Sequence, residues 1–224
     1  MIKRRIFRIA HIAKETPNIW TFHLVPKDGK PFGFKAGQFV NLYLDGIFRS
    51  YSISSSPKHK DFIELTIKMV KGRMTSKLEK AEVGHEVGIL GPLGEFSSDS
   101  NDIVMIACGI GVTPMMSHLR CLDKKKKIVL FYSARTKKDQ IFRKELDKIQ
   151  RDCPQLKIIY IITREKAEGC ENKRIDFEMI QRHISNPEKK YYLVCGPRDL
   201  AANIQEILKK SKVSAENVKI ECWG

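Results

Sequence analysis

Near residue 100 the apolar pattern of this chain changes period, and that change restricts it to a narrow set of architectures. Up to about Phe96 the sequence reads as short strands. Segments 19–24, 38–44 and 62–70 are rich in β-branched and aromatic residues and partly alternate apolar with polar. Pro26-Lys27-Asp28-Gly29, Asp45-Gly46 and Lys71-Gly72 punctuate them as turns. This spacing predicts a small antiparallel β-barrel or sandwich. Past the polar stretch 97–102, buried-type strands at 103–107, 128–132, 157–162, 191–194 and 218–221 alternate with helical segments at 114–122, 139–151, 176–183 and 199–210. Repeated strand–helix units predict an α/β doubly wound parallel sheet, with ligands at the C-terminal ends of its strands. Two domains are expected, 1–97 and 98–224, and 224 residues suffice for each to bury a core.

Composition narrows the function class. A hydrophobic share of 42% and a charged share of 30% fit a soluble globular protein, and no apolar run reaches the roughly 18 residues of a membrane helix. The N-terminus Met1-Ile2-Lys3-Arg4-Arg5 lacks the apolar stretch of a signal peptide, so the expected location is cytoplasmic. The six cysteines form no C-x-x-C pair, which argues against a zinc or iron–sulfur site and for reduced thiols. The net charge of +15 leaves nucleic acid, membrane surfaces and acidic proteins open as partners. The run Lys124-Lys125-Lys126-Lys127 reads better as a solvated helix end than as a binding patch.

Four motifs carry chemistry. In Arg49-x-Tyr51-Ser52, strand alternation puts Arg49 and Tyr51 on one face and Ser52 on the other. A cation, a flat ring and a hydroxyl suit a phosphorylated aromatic cofactor; the competing reading is an edge strand with polar residues. Gly72-Arg73-Met74-Thr75 follows a strand and opens a helix, a place for a pyrophosphate or simply an N-cap. Gly109-x-Gly111-x-Thr113-Pro114 lies between a strand and a helix, the setting of a dinucleotide cradle, though it departs from G-x-G-x-x-G. Cys195-Gly196-Pro197 ends another strand at the same sheet edge, which would aim Cys195 into the ligand crevice.

In this order, and with Glu221-x-Trp223 at the end, these motifs resemble the ferredoxin–NADP reductase superfamily, above all its bacterial flavodoxin/ferredoxin reductases and the reductase modules of oxygenases and flavohaemoglobins. The resemblance implies an FAD-binding barrel followed by a nicotinamide-nucleotide domain. It implies that Arg49 pairs with the FAD pyrophosphate, Tyr51 stacks on the isoalloxazine and Ser52 bonds near flavin N5. Gly72, Met74 and Thr75 would hold the pyrophosphate from the other side, with Ile67 and Lys68 near the adenosine. Gly109, Gly111, Thr113 and Pro114 would bind the second nucleotide, and Cys195, followed by Gly196 and Pro197, would sit where hydride crosses. Glu221 matches the family's C-terminal acidic residue, which tunes N5 or relays a proton. Trp223 stands where many relatives have phenylalanine or tyrosine.

The choice of pyridine nucleotide rests on cations beyond the second and third strands of the later domain. Thr163-Arg164 resembles the Ser-Arg pair of NADP-specific relatives, with Ser133, Arg135, Lys173 and Arg174 nearby in sequence; the adenine-stacking tyrosine of many NADP enzymes is missing near Lys173. NADP(H) is favoured over NAD(H). The basic charge favours an acidic electron-transfer protein such as ferredoxin or flavodoxin as acceptor. The main rival is an NADH-dependent reductase of free flavin or of an oxygenase component. A basic nucleic-acid-binding protein is the rival from another class, weakened because the aromatics fall inside strand patterns.

Overall fold

The computed structural model describes residues 3–222, so Trp223 and its expected role lie outside the described residues. The chain divides into two compact units. One runs up to Glu95 and includes Thr113–Cys121; the other comprises Phe96–Val112 and the chain from Leu122 onward.

The first unit is an antiparallel sheet of β1 (Arg5–Thr16), β2 (Ile19–Pro26), β3 (Phe39–Leu44), β4 (Ile47–Ser52), β5 (Ile63–Lys68) and β6 (Glu86–Leu93), with helix α1 (Arg73–Leu78) between the last two. Its order is β4-β3-β6-β1-β2-β5. Strand alternation is plain in β3, where Val40, Leu42 and Leu44 are buried and their neighbours half-buried. Asp45 and Gly46, both at positive φ (45° and 77°), make the two-residue turn from β3 to β4, whose twist suits a hairpin. Just past β4, Ile53 bridges Leu65 of β5, joining the two edge strands into a barrel. Phe7, Phe22, Leu24, Leu42, Ile63, Leu65 and Met74 fill its interior.

The second unit is a parallel sheet of β7 (Asp102–Cys108), β8 (Lys127–Ala134), β9 (Leu156–Ile162), β10 (Tyr191–Gly196) and β11 (Val218–Cys222), in the order β11-β10-β7-β8-β9. The near-continuous apolar runs of β7 and β9 are those of strands covered on both faces. Helix α3 (Arg143–Asp152) packs on β9, and α5 (Arg198–Lys210) packs on β10 and β11 and touches α4 (Phe177–His183). Strand order reverses between β7 and β10, the switch point where such sheets bind ligands. An antiparallel barrel followed by a doubly wound parallel sheet is the fold class the sequence predicts.

Three local expectations need correction. The segment 139–151 is not one helix: a 3-10 turn takes Lys137–Asp139, and α3 starts only after Phe142, held at φ 61°. The Asp139 carboxylate accepts from the Thr136 N–H and hydroxyl and closes that turn on itself. Helix α2 (Val112–Leu119) stops before 122 and begins two residues before Pro114, which its first turn tolerates. The four lysines are therefore not a helix end. Lys127 opens β8 opposite Asp102, and Lys126 Nζ donates to the Ser98 carbonyl at 2.7 Å.

Candidate functional site

On the barrel, β4 lies at the edge of the sheet, and α1 packs against it, so the two expected flavin motifs meet in one unit. Arg49 is exposed and folds Nη1 back onto the Phe48 carbonyl at 2.9 Å. Tyr51 is half-buried against the barrel core, across from Val40. Burial pushes its phenol up to about 12, opposed by the Arg49 charge, so it stays protonated at neutral pH. Ser52 is buried at the strand end, across from Phe39. Arg49 thus offers an exposed cation and Tyr51 a part-covered ring on one strand edge.

Gly72 is the N-cap of helix α1. The Thr75 hydroxyl accepts the Gly72 N–H at 3.0 Å and donates to the Gly72 carbonyl at 3.2 Å, so its first task is to close the helix's own first turn. Met74 is a core side chain, 3% exposed, and Ile67 likewise, so either residue can meet a ligand only through its backbone. Lys68 is exposed at the end of β5.

In the second unit, the glycine turn after β7 and the end of β10 lock together. A Cβ on Gly111 would fall 2.2 Å from the Cys195 carbonyl oxygen, and one on Gly196 would fall 2.7 Å from Leu200 Cδ2 and 3.1 Å from Cys108 Cβ. At Gly111 the obstacle is the backbone of a crossing segment, which excludes any side chain, whereas at Gly196 it is the tip of the Leu200 side chain and a tight approach to Cys108. Gly109 differs: at φ +55° it needs glycine for its backbone, and nothing lies within 4 Å of where a Cβ would stand. Open space beside a left-handed glycine at a switch point is a cradle that a phosphate can approach closely, and the residues present fit a dinucleotide.

Cys195 is fully buried, in register with Ala107 on one side and Glu221 on the other, so its thiol meets no solvent. Glu221 is half-buried on β11. Pro197, just beyond, is exposed. Thr113 and Pro114 are buried at the start of α2 and group with the first unit, so the division between the units falls inside the G-x-G-x-x-P motif.

At the ends of β8 and β9, Ser133 is buried and Arg135, Thr163 and Arg164 are exposed. The Thr163 and Arg164 N–H groups donate to the Ala134 and Arg135 carbonyls at 3.1 and 2.9 Å, which sets the two arginines on adjoining turns. Lys173 is committed elsewhere: its Nζ lies 2.6 Å from Asp176, the N-cap of α4. The hydrogen bond from Lys173 holds the Asp176 carboxyl below its usual range.

Sequence reasoning missed a polar set in the first unit. Arg120 Nη1 donates to Glu64 Oε2 at 2.6 Å and to the Ser54 carbonyl at 2.9 Å, and Ser117 Oγ donates to the Ser55 carbonyl at 2.8 Å. The available signal was the spacing Thr113, Ser117, Arg120, which lines up three polar residues at helical intervals along α2 and just past its end. A depression of about 360 Å³ lined by Arg4, Ile6, Tyr43, Asp45 and Glu86 takes in none of the expected site residues. Among the described residues no group of three or more histidine, cysteine or acidic side chains could hold a metal, and no helix is long and apolar enough to cross a membrane.

Comparison with known proteins matches both parts of the chain to known domains. Residues 6–98 match the family model of the oxidoreductase FAD-binding domain, and residues 105–206 match that of the oxidoreductase NAD-binding domain. The glycine betaine monooxygenase reductase subunit of Chromohalobacter salexigens is 30% identical over 99% of this chain and 64% of its own length. The flavohem-like FAD/NAD-binding domain of nitric oxide dioxygenase from Vibrio cholerae has the same fold, with a TM-score of 0.90, 21% identity and 98% coverage of both chains. A ferredoxin NADP+ reductase from Neisseria gonorrhoeae, solved with FAD and NADP, gives a TM-score of 0.87 at 20% identity over 99% of both chains. The chain spans about half to two thirds of the length of the curated relatives it matches, 51–64%.

Proposed function

Because this chain belongs to the ferredoxin–NADP reductase superfamily of flavoprotein oxidoreductases, we propose that it moves electrons from NADPH, by way of FAD, to an acidic redox protein. When bound, FAD supplies the conversion of a two-electron hydride donor into single-electron steps. The chain supplies binding and alignment. Arg49 neutralises the FAD pyrophosphate, a bidentate task that a lysine performs less well. Tyr51 covers one ring face, and Ser52 offers a hydroxyl at the strand end. The backbone of Gly72 to Thr75 approaches the phosphates from α1, while Ile67 and Lys68 border the adenosine.

Gly109, Gly111, Thr113 and Pro114 hold the second pyrophosphate. The observation that carries the reading is the interlock of Gly111 with Cys195 and of Gly196 with Cys108 at the switch point, beside the open cradle of Gly109. Cys195, Gly196 and Pro197 shape the nicotinamide end, and Glu221, in register with Cys195, holds or moves a proton there. Arg135 and Arg164, with Ser133 and Thr163, receive the 2′-phosphate; Lys173 contributes only by leaving Asp176. All six cysteines are thiols, which supports a reducing, cytoplasmic setting.

An anaerobic spectral titration of the purified protein tests the core. Flavin absorbance should bleach with NADPH; no bleaching with NADPH or NADH would defeat the reading. Arg164→Ala should raise KM for NADPH about 10-fold and leave KM for NADH unchanged, since a charge-assisted phosphate contact is lost. A parent protein that prefers NADH, unaltered by the substitution, would overturn the NADPH assignment. The likeness to a monooxygenase reductase subunit favours a second reading, in which the acceptor is an oxygenase component rather than a ferredoxin or flavodoxin.

A further inference from the structure

Helix α2 follows directly from the nucleotide turn. Thr113, at its start, shares a face with Ser117, and Arg120 continues that row just past the last helical residue, its N–H still bonded to the Met116 carbonyl at 2.9 Å. That row ends on the barrel segment immediately after the Arg49-x-Tyr51-Ser52 strand. Ser117, fully buried, donates to the Ser55 carbonyl at 2.8 Å. One nitrogen of Arg120 takes both the Ser54 carbonyl at 2.9 Å and the Glu64 carboxylate at 2.6 Å.

Both acceptors are themselves fixed. The Ser54 N–H and Oγ donate to the Glu64 carbonyl at 2.9 and 3.2 Å, and the Glu64 N–H donates to Ser55 Oγ at 3.0 Å. Ser54 Oγ also meets Thr66 Oγ1 at 3.0 Å, and His23 Nδ1 lies 3.8 Å from the Glu64 carboxylate. The Arg120 and Glu64 side chains are 17% and 24% exposed, so the pair is mostly shielded from water. Such a charge-assisted bond is stronger and more directional than a surface ion pair, and removing one partner strands the other's charge.

We propose that Arg120 is a positioning residue for hydride transfer. By clamping α2 to Ser54 and Glu64, it fixes Thr113 and Pro114, the end of the nucleotide turn, on the same unit that presents Tyr51 and Ser52 to the flavin. This rests on the function proposed above, and it assigns the clamp a kinetic role beyond stability. Alignment of reacting centres is steep in distance: a displacement of about 1 Å costs up to about 100-fold in rate.

The test is stopped-flow anaerobic reduction by NADPH of FAD-loaded parent, Arg120→Ala, Arg120→Lys and Glu64→Gln proteins, with FAD affinity measured alongside. Arg120→Ala should reduce its flavin about 10-fold more slowly at saturating NADPH, while FAD affinity stays within about twofold of the parent. Arg120→Lys should recover part of the rate. Should Arg120→Ala fail to fold, Glu64→Gln keeps the side-chain shape and should still slow reduction about threefold. Reduction at the parental rate in the variants that fold, or a rate loss wholly matched by FAD loss, overturns the proposal. A parent protein reduced by neither NADPH nor NADH overturns the functional reading as well, so the two failures are distinct.

Discussion

Two glycines of one motif, Gly109 and Gly111, are required for opposite reasons, and substitution separates them. At Gly111 the obstacle is main chain: a Cβ would stand 2.2 Å from the Cys195 oxygen and 2.6 Å from its carbonyl carbon, where no rotamer change relieves the overlap. Overpacking of this kind costs about 1–3 kcal/mol or more. For a chain of this size that lowers Tm by roughly 2–4 °C per kcal/mol. Gly111→Ala should therefore be strongly destabilised by differential scanning fluorimetry even without nucleotide. Gly109→Ala meets no atom and only the left-handed backbone, a cost of about 1–2 kcal/mol. It should fold, with its principal defect a higher KM for the pyridine nucleotide, because the new methyl occupies the open cradle. Equal Tm values for Gly111→Ala and the parent would disprove the interlock. Spacing alone identified both glycines; that Gly111 meets a crossing strand while Gly109 faces open space depends on Cys195, 84 positions beyond Gly111, which no local pattern encodes.

Elements were legible where their period was long and their ends were marked. β7, β9 and β10 are read from apolar runs and their boundaries, because their side chains are almost all buried. The break at Phe142 was not legible, since Thr136 and Asp139 close a turn on themselves inside an otherwise helical pattern. The six residues of α1 could be read either as phosphate site or as ordinary cap, and the structure gives the hydroxyl of Thr75 the capping task first. An exchange at Thr75 tests how far the element depends on it. Thr75→Val keeps the shape but leaves the Gly72 N–H without its acceptor, a loss of about 1 kcal/mol. Tm should fall by about 2–4 °C and FAD affinity with it, since α1 packs on the strand of Arg49 and Tyr51; Thr75→Ser should restore both. Unchanged FAD affinity in Thr75→Val would remove α1 from the flavin site. The clamp of Arg120 was hidden for a related reason: it joins residues 56 and 66 positions apart, and its partners are fixed only when the barrel closes.

Over the whole molecule, charge bears on association with other molecules rather than on the fold. Forty-one lysines and arginines against 26 acidic residues give +15, and Arg49, Arg135 and Arg164 are among the exposed cations. A field of this sign accelerates encounters with an acidic protein by about 10-fold or more at low ionic strength. Its reach shrinks from about 30 Å at 0.01 M salt to about 8 Å at 0.15 M. Turnover with an acidic ferredoxin or flavodoxin, followed at subsaturating acceptor, should therefore fall about 10-fold across that range. Reduction of a neutral quinone by the same preparation should change less than about twofold, because a neutral acceptor is not steered. The comparison isolates docking from chemistry: loss of flavin or of NADPH affinity would slow both acceptors together, whereas loss of steering slows only the charged one. Salt-insensitive turnover with the protein acceptor would leave the positive charge without a role in partner choice, and an oxygenase component of unlike surface would then become the better acceptor to test.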